Sequence, residues 1–131
     1  LEGLETDYFA FADLDPVFDF YTPVIIANNA FLAEEPETAR AFLDAVSRGY
    51  EFAIEHPREA GEILCKAAPE LDPDLVKASQ EYLADKYQAD APQWGYIDQE
   101  RWDAYYAWLN EKGLTETPIE AGTGCSNEYL P

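Results

Sequence analysis

Phe18, Phe20, Tyr21 and Thr22 form the tightest cluster of side chains in this sequence able to recognise a ligand. An aromatic face beside a hydroxyl suits a flat, polar small molecule, because the ring stacks and the oxygen orients. The cluster stands between a loop signal, Asp13-Leu14-Asp15-Pro16, and the apolar run Val24-Ile25-Ile26-Ala27, where side chains can be held rigidly at the edge of a cleft. Tyr21 and Thr22 are therefore candidate ligand-binding residues. Trp94, in the loop Pro92-Gln93-Trp94-Gly95-Tyr96, is a third. The competing reading is plain packing: Phe18 and Phe20 as core, Trp94 as a plug between helices, and Trp102, Tyr105 and Tyr106 as the buried stripe of a helix.

Other chemistries are poorly served. No Ser-His-Asp, Cys-His or Gly-x-Ser-x-Gly arrangement occurs, and His56, the only histidine, sits beside Pro57 where two helices should meet. Gly122-Thr123-Gly124 neither follows a strand pattern nor opens a helix, so it is a weak phosphate loop. Acidic pairs such as Glu34-Glu35 are expected by chance among 27 carboxylates. Cys65 and Cys125 stand 60 positions apart and match no metal or redox motif. They are read as free thiols, Cys65 as a small core residue. The expectation is no catalytic residue, no metal ligand and no cofactor.

The elements that must position the cluster fall into two kinds. Tyr8–Phe11 is an aromatic run, and β-branched Val24–Ala27 reads as a buried strand with Pro23 at its entrance. No partner strand for Val24–Ala27 is evident in the sequence. From Ala30 onward the pattern is helical. A short turn covers Ala30–Glu34, then Pro36 opens a long helix with Ala39, Phe42, Leu43, Val46, Tyr50, Ala53 and Ile54 on one face. His56-Pro57 ends it, since proline disfavours helical geometry in the preceding residue. Pro57 opens a second helix whose apolar face is Ala60, Ile63, Leu64 and Ala67. Asp72 caps a third, carrying Leu75, Val76, Ser79, Tyr82 and Leu83. A fourth runs from Asp98 to Gly113, and residues 114–131 form an irregular tail.

The chain has 131 residues, with 8 basic and 27 acidic side chains, for a net charge of −19. A surface this acidic repels phosphate backbones and anionic membranes, so nucleic acid is not an expected partner. A hydrophobic share of 47% argues against disorder. A folded monomer of this mass should expose about 7,000 Å². No apolar run is long enough to span a membrane. The chain contains no methionine, so a longer N-terminal portion, with any signal peptide, is expected to precede it.

An ordered series of motifs carries a resemblance. Leu14-Asp15-Pro16, Tyr21-Thr22-Pro23-Val24-Ile25-Ile26-Ala27-Asn28, Phe31-Leu32, Pro36-Glu37, Ala41-Phe42-Leu43, Gly49 through Pro57 and Glu59-Ala60 resemble the C-terminal part of extracytoplasmic solute-binding proteins of ABC importers. Ala78 to Leu83, Trp94 to Asp98, Glu100-Arg101-Trp102 and Trp108-Leu109 resemble the thiamine-pyrimidine-precursor (NMT1/THI5-like) branch in particular. The resemblance implies an α/β, type II periplasmic-binding-protein-like fold, of which this is the C-terminal portion, mostly helical with one to three strands. Residues 1–22 would complete the second lobe and the hinge crossing. Residues 23–131 would form the C-terminal part of the first lobe, with Tyr21 and Thr22 at the hinge facing the cleft. Val24–Ala27 would pair with strands outside this chain, so the chain alone should self-associate or swap strands.

The implied partners are an aminopyrimidine-like solute and an ABC permease with its ATPase, in the periplasm or lipid-anchored at the cell surface. Three alternatives stand beside this reading. One is a nitrate, sulfonate or taurine binder of the same fold. Another is a pyrimidine-precursor synthase, whose cysteine cluster has no counterpart here. The last is a stand-alone helical interaction module.

Overall fold

Proline and aspartate set most of the helix boundaries. The computed structural model describes residues 3, 5 and 7–131. Its helices, in chain order, are α1 (Phe11–Leu14), α2 (Asn29–Glu34), α3 (Pro36–Glu55), α4 (Pro57–Ala67), α5 (Pro73–Leu83) and α6 (Gln99–Glu111), with single 3-10 turns at Pro16–Phe18 and Ala84–Lys86. Pro36, Pro57 and Pro73 each take a first helical position, where a missing N–H is no loss. Asp72 accepts from the N–H groups of Asp74 and Leu75, and Asp98 from that of Arg101. At the far end of α6, Gly113 has φ +65°. Its N–H donates to Asn110 O at 3.1 Å, and that of Leu114 to Leu109 O at 3.0 Å. This pair of bonds is a Schellman motif, and it satisfies two orphan carbonyls.

The expected strands do not form: among the described residues there is no β-strand. The Tyr8–Phe11 run leads straight into the helical turn of α1. Val24–Ala27 is neither helix nor strand, and its side chains are exposed, Ile26 by 87%. A β-branched run becomes a strand only when a neighbour takes its backbone N–H and C=O groups, and no described residue does so here.

The chain divides into two units, one of residues 30–96 with 129–131, the other of the described residues up to 29 with 97–128. In the first, α4 packs on α5 through Gly61, which is buried. A Cβ added there would lie 3.6 Å from Val76 Cγ1, an ordinary contact, so the two helices meet along this glycine with room for a methyl group and nothing larger. Arg58 on α4 donates from Nε to Glu81 Oε1 on α5 at 2.6 Å. The face expected to bury α4 is therefore not the one used, and Ile63 and Leu64 remain exposed. Phe42, Leu75 and Tyr82 are exposed as well. Tyr129 returns to this unit beneath the Arg40 guanidinium, 5.3 Å from the ring centroid.

In the second unit the irregular tail is laced to α6. Asp103 accepts the Gly122 N–H on both carboxylate oxygens at 3.0 Å. Asn110 donates to Ile119 O and accepts from Ile119 N–H, and Asn127 brackets Ile97 in the same way. The Gly122 amide thus faces a carboxylate already, which does not suit a phosphate. Across the described residues of both units the buried side chains are few, namely Ala39, Ser47, Val76 and Ala84. The accessible surface is 10138 Å², well above the area expected of a folded monomer of this mass.

Candidate functional site

The second unit holds a cavity of about 180 Å³ lined by Phe20, Tyr21, Thr22, Val24, Trp102, Tyr105 and Tyr106. One wall comes from α6. Trp102, Tyr105 and Tyr106 are spaced by three and four residues and so share a helix face. The other wall is the segment after the Pro16–Phe18 turn, with a cis peptide between Thr22 and Pro23. Aromatic contacts join the two walls. The Phe20 ring stacks on Tyr105 with centroids 4.2 Å apart and planes 19° apart. Phe18 meets Trp108 edge to face at 5.2 Å. Pairs of this kind contribute about 0.5–1.5 kcal/mol each beyond the area they bury.

Tyr21 is held at two points. Its hydroxyl accepts the Asp98 N–H at 2.9 Å, and the Arg101 guanidinium lies 4.2 Å from its ring centroid. Arg101 donates from Nε to Asp19 O and from Nη2 to Asp19 Oδ1, both at 2.6 Å. Trp102 donates from Nε1 to Thr123 O at 3.0 Å, which fixes that indole. Among the described residues, the hydroxyls of Thr22, Tyr105 and Tyr106 have no hydrogen-bond partner. The cavity thus offers flat aromatic faces and three uncommitted hydroxyls, a lining able to take a planar, polar guest.

Cys125 lies in this unit too. Burial pushes its thiol pKa up, the hydrogen bond to the Gln99 side chain opposes this by less, and the Asp103 charge adds a smaller upward push. Both cysteines are free thiols.

Tyr21 and Thr22 are brought together on one cavity. Trp94 is in the other unit, its ring stacked on Tyr50 at 4.4 Å, and Tyr50 meets Tyr87 at 5.0 Å. That is the plugging role weighed for Trp94, beside an open groove of about 370 Å³ lined by Tyr50, Gly49, Ala53, Gln80 and Tyr87 among others. Trp102, Tyr105 and Tyr106, read from the sequence as core, are half-exposed and line the cavity. Asp19, Asp98 and Arg101 were not read from the sequence as site residues, Asp98 being named only as a helix start and Arg101 only within a motif, because the contacts that give them a role join distant segments.

The family model described as NMT1/THI5 like matches residues 1–60. This stretch is similar to that family. The stretch contains the motifs from Leu14 to Ala60 on which the resemblance was drawn. Over 124 residues the chain is 30% identical to a formylaminopyrimidine-binding protein of Halalkalibacterium halodurans, covering 92% of this chain and 37% of that one. It is 25% identical over 140 residues to the riboflavin-binding protein RibY of Chloroflexus aurantiacus, covering 99% and 38%. It is also 38% identical over 116 residues to a 4-amino-5-hydroxymethyl-2-methylpyrimidine phosphate synthase of Candida albicans, covering 85% and 31%. The chain spans about a third of the length of these relatives. Among the described residues no helix is long and apolar enough to cross a membrane.

Proposed function

We propose that this chain is part of the substrate-binding component of an ABC importer, and that its solute is aminopyrimidine-like. In the whole protein, residues 1–22 would close the second lobe and hinge, and residues 23–131 would belong to the first lobe of a type II binding-protein fold. The lobes would close on the solute and the closed form would dock on a permease outside the cytoplasm. The lobe assignment rests on the resemblance.

The observation that carries the reading is the aromatic cavity at Tyr21 and Thr22 in a chain similar to a formylaminopyrimidine-binding protein. Size favours one ring over three fused ones. At about 180 Å³ the cavity is smaller than the roughly 300–1,000 Å³ of sites for drug-sized ligands. Calorimetry on the full-length protein with formylaminopyrimidine, riboflavin, taurine and nitrate tests this. The pyrimidine should bind most tightly. Tighter binding of riboflavin would move the assignment to the relative named for it, and tighter binding of taurine or nitrate would end the pyrimidine reading.

A synthase is the second reading, favoured by the Candida albicans relative. Cofactor or iron absorbance on the purified full-length protein, with turnover to a pyrimidine phosphate, would establish it in place of transport.

A further inference from the structure

Resting on that binding reading, we propose that Arg101 is the positioning residue of the cavity, presenting Tyr21 to the solute by one ring face only. Arg101 makes three contacts with the segment that carries Tyr21. Its Nε donates to the Asp19 carbonyl, its Nη2 donates to the Asp19 carboxylate, and its guanidinium covers the Tyr21 ring at 4.2 Å. A fourth contact closes the circuit. Arg101 donates its backbone N–H to Asp98 Oδ1 at 2.8 Å, and Asp98 donates its own N–H to the Tyr21 hydroxyl. The first turn of α6 therefore grips the ring at its face and at its oxygen. It also grips the backbone two residues earlier.

The consequence is geometric. A ring with one face covered by a guanidinium can stack on a planar guest only with the other. The Tyr21 oxygen already accepts from a backbone donor, so toward a guest its hydroxyl is left chiefly as a donor, beside the hydroxyls of Thr22, Tyr105 and Tyr106. Lysine cannot replace Arg101 here, because an ammonium cannot reach the carbonyl and the carboxylate with two parallel donors while lying flat on a ring. The residue acts on the ligand through Tyr21.

The test uses the full-length protein with formylaminopyrimidine as probe, and variants Arg101→Lys, Tyr21→Leu and the double variant. Arg48→Lys, an exposed arginine paired with Asp44 on α3, serves as control. Arg101→Lys should weaken binding up to about tenfold, the scale of one lost aromatic contact, and Arg48→Lys should leave it unchanged. In the Tyr21→Leu background, Arg101→Lys should have no further effect. An equal loss in that background would overturn the proposal, since Arg101 would then act without Tyr21. If the wild-type protein binds no pyrimidine, the binding reading fails, and NMR of the ligand-free protein decides the positioning role by itself. The labelled Tyr21 ring and the Asp98 amide should both shift in Arg101→Lys; unmoved signals would overturn it.

Discussion

Thr22 and Tyr21 separate what the cavity does from what holds it together. The Thr22 hydroxyl has no protein partner among the described residues. Thr22→Val should therefore change stability by no more than about 0.5 kcal/mol. If that oxygen orients the solute, the same change should weaken solute binding by about two- to tenfold, the worth of one hydrogen bond. Urea titration and calorimetry on one preparation read both effects. Tyr21→Phe should behave the other way. It leaves the Asp98 N–H to water at a cost of about 1 kcal/mol or less, and it keeps the stacking face. Cys125 gives a pH prediction. Its folded-state pKa is raised by burial, so the native protein keeps a proton that the unfolded chain releases. The resulting stability is present below the unfolded thiol pKa and is lost as pH rises through the folded value. In a Cys65→Ser background, alkylation of native protein should rise with pH at a midpoint above that of a free thiol, and a midpoint at or below it would contradict the assignment. Tyr21 and Thr22 were legible because ring and hydroxyl adjoin in sequence. The Arg101–Asp19 pair was not, because 82 positions separate its members and no local pattern marks such a meeting.

At the level of elements, the helix boundaries were legible because proline and aspartate act on their immediate neighbours. Pro36, Pro57 and Asp72 each stand where their backbone chemistry requires. Val24–Ala27 forms no strand among the described residues because strand formation depends on a second segment that local composition does not reveal. The inward face of α4 was misread for a related reason. Periodicity weighs Ile63 and Leu64 heavily, but Gly61 has no side chain to weigh, and the close approach of α5 runs through it. Substitution at this position tests the packing. A Cβ at Gly61 would make ordinary contacts at 3.6–3.8 Å with Val76, Gln80 and Lys77, so Gly61→Ala should stabilise by up to about 1 kcal/mol through helix propensity. Gly61→Leu should cost about 1–3 kcal/mol by overpacking the same contact. Thermal denaturation that ranked leucine at or above glycine would show that the two helices do not meet there.

For the molecule as a whole, two opposing terms set its behaviour in solution. The accessible surface of 10138 Å² exceeds the expectation for this mass by roughly 3,000 Å², more than the roughly 1,200–2,000 Å² that a stable protein interface removes from water. Val24, Ile25 and Ile26 in one unit and Phe42, Ile63 and Leu75 in the other contribute apolar atoms to that surface. Against association stands the net charge of −19, which repels any second copy. Repulsion between exposed charges is screened within about 10 Å at 0.1 M salt, whereas apolar burial is not weakened by salt. The 131 residues prepared alone should therefore be closest to monomeric at low ionic strength and associate as salt is raised. Sedimentation velocity across a salt series measures this directly. Placing aspartate at Ile25 and Ile26 should reduce the association if that segment is the seat, and should leave it intact if the α4 face is. A chain that stays monomeric at every salt and protein concentration would mean that its exposed apolar side chains need no cover. The reading of Val24–Ala27 as a segment that pairs with strands outside these 131 residues would then lose its physical basis.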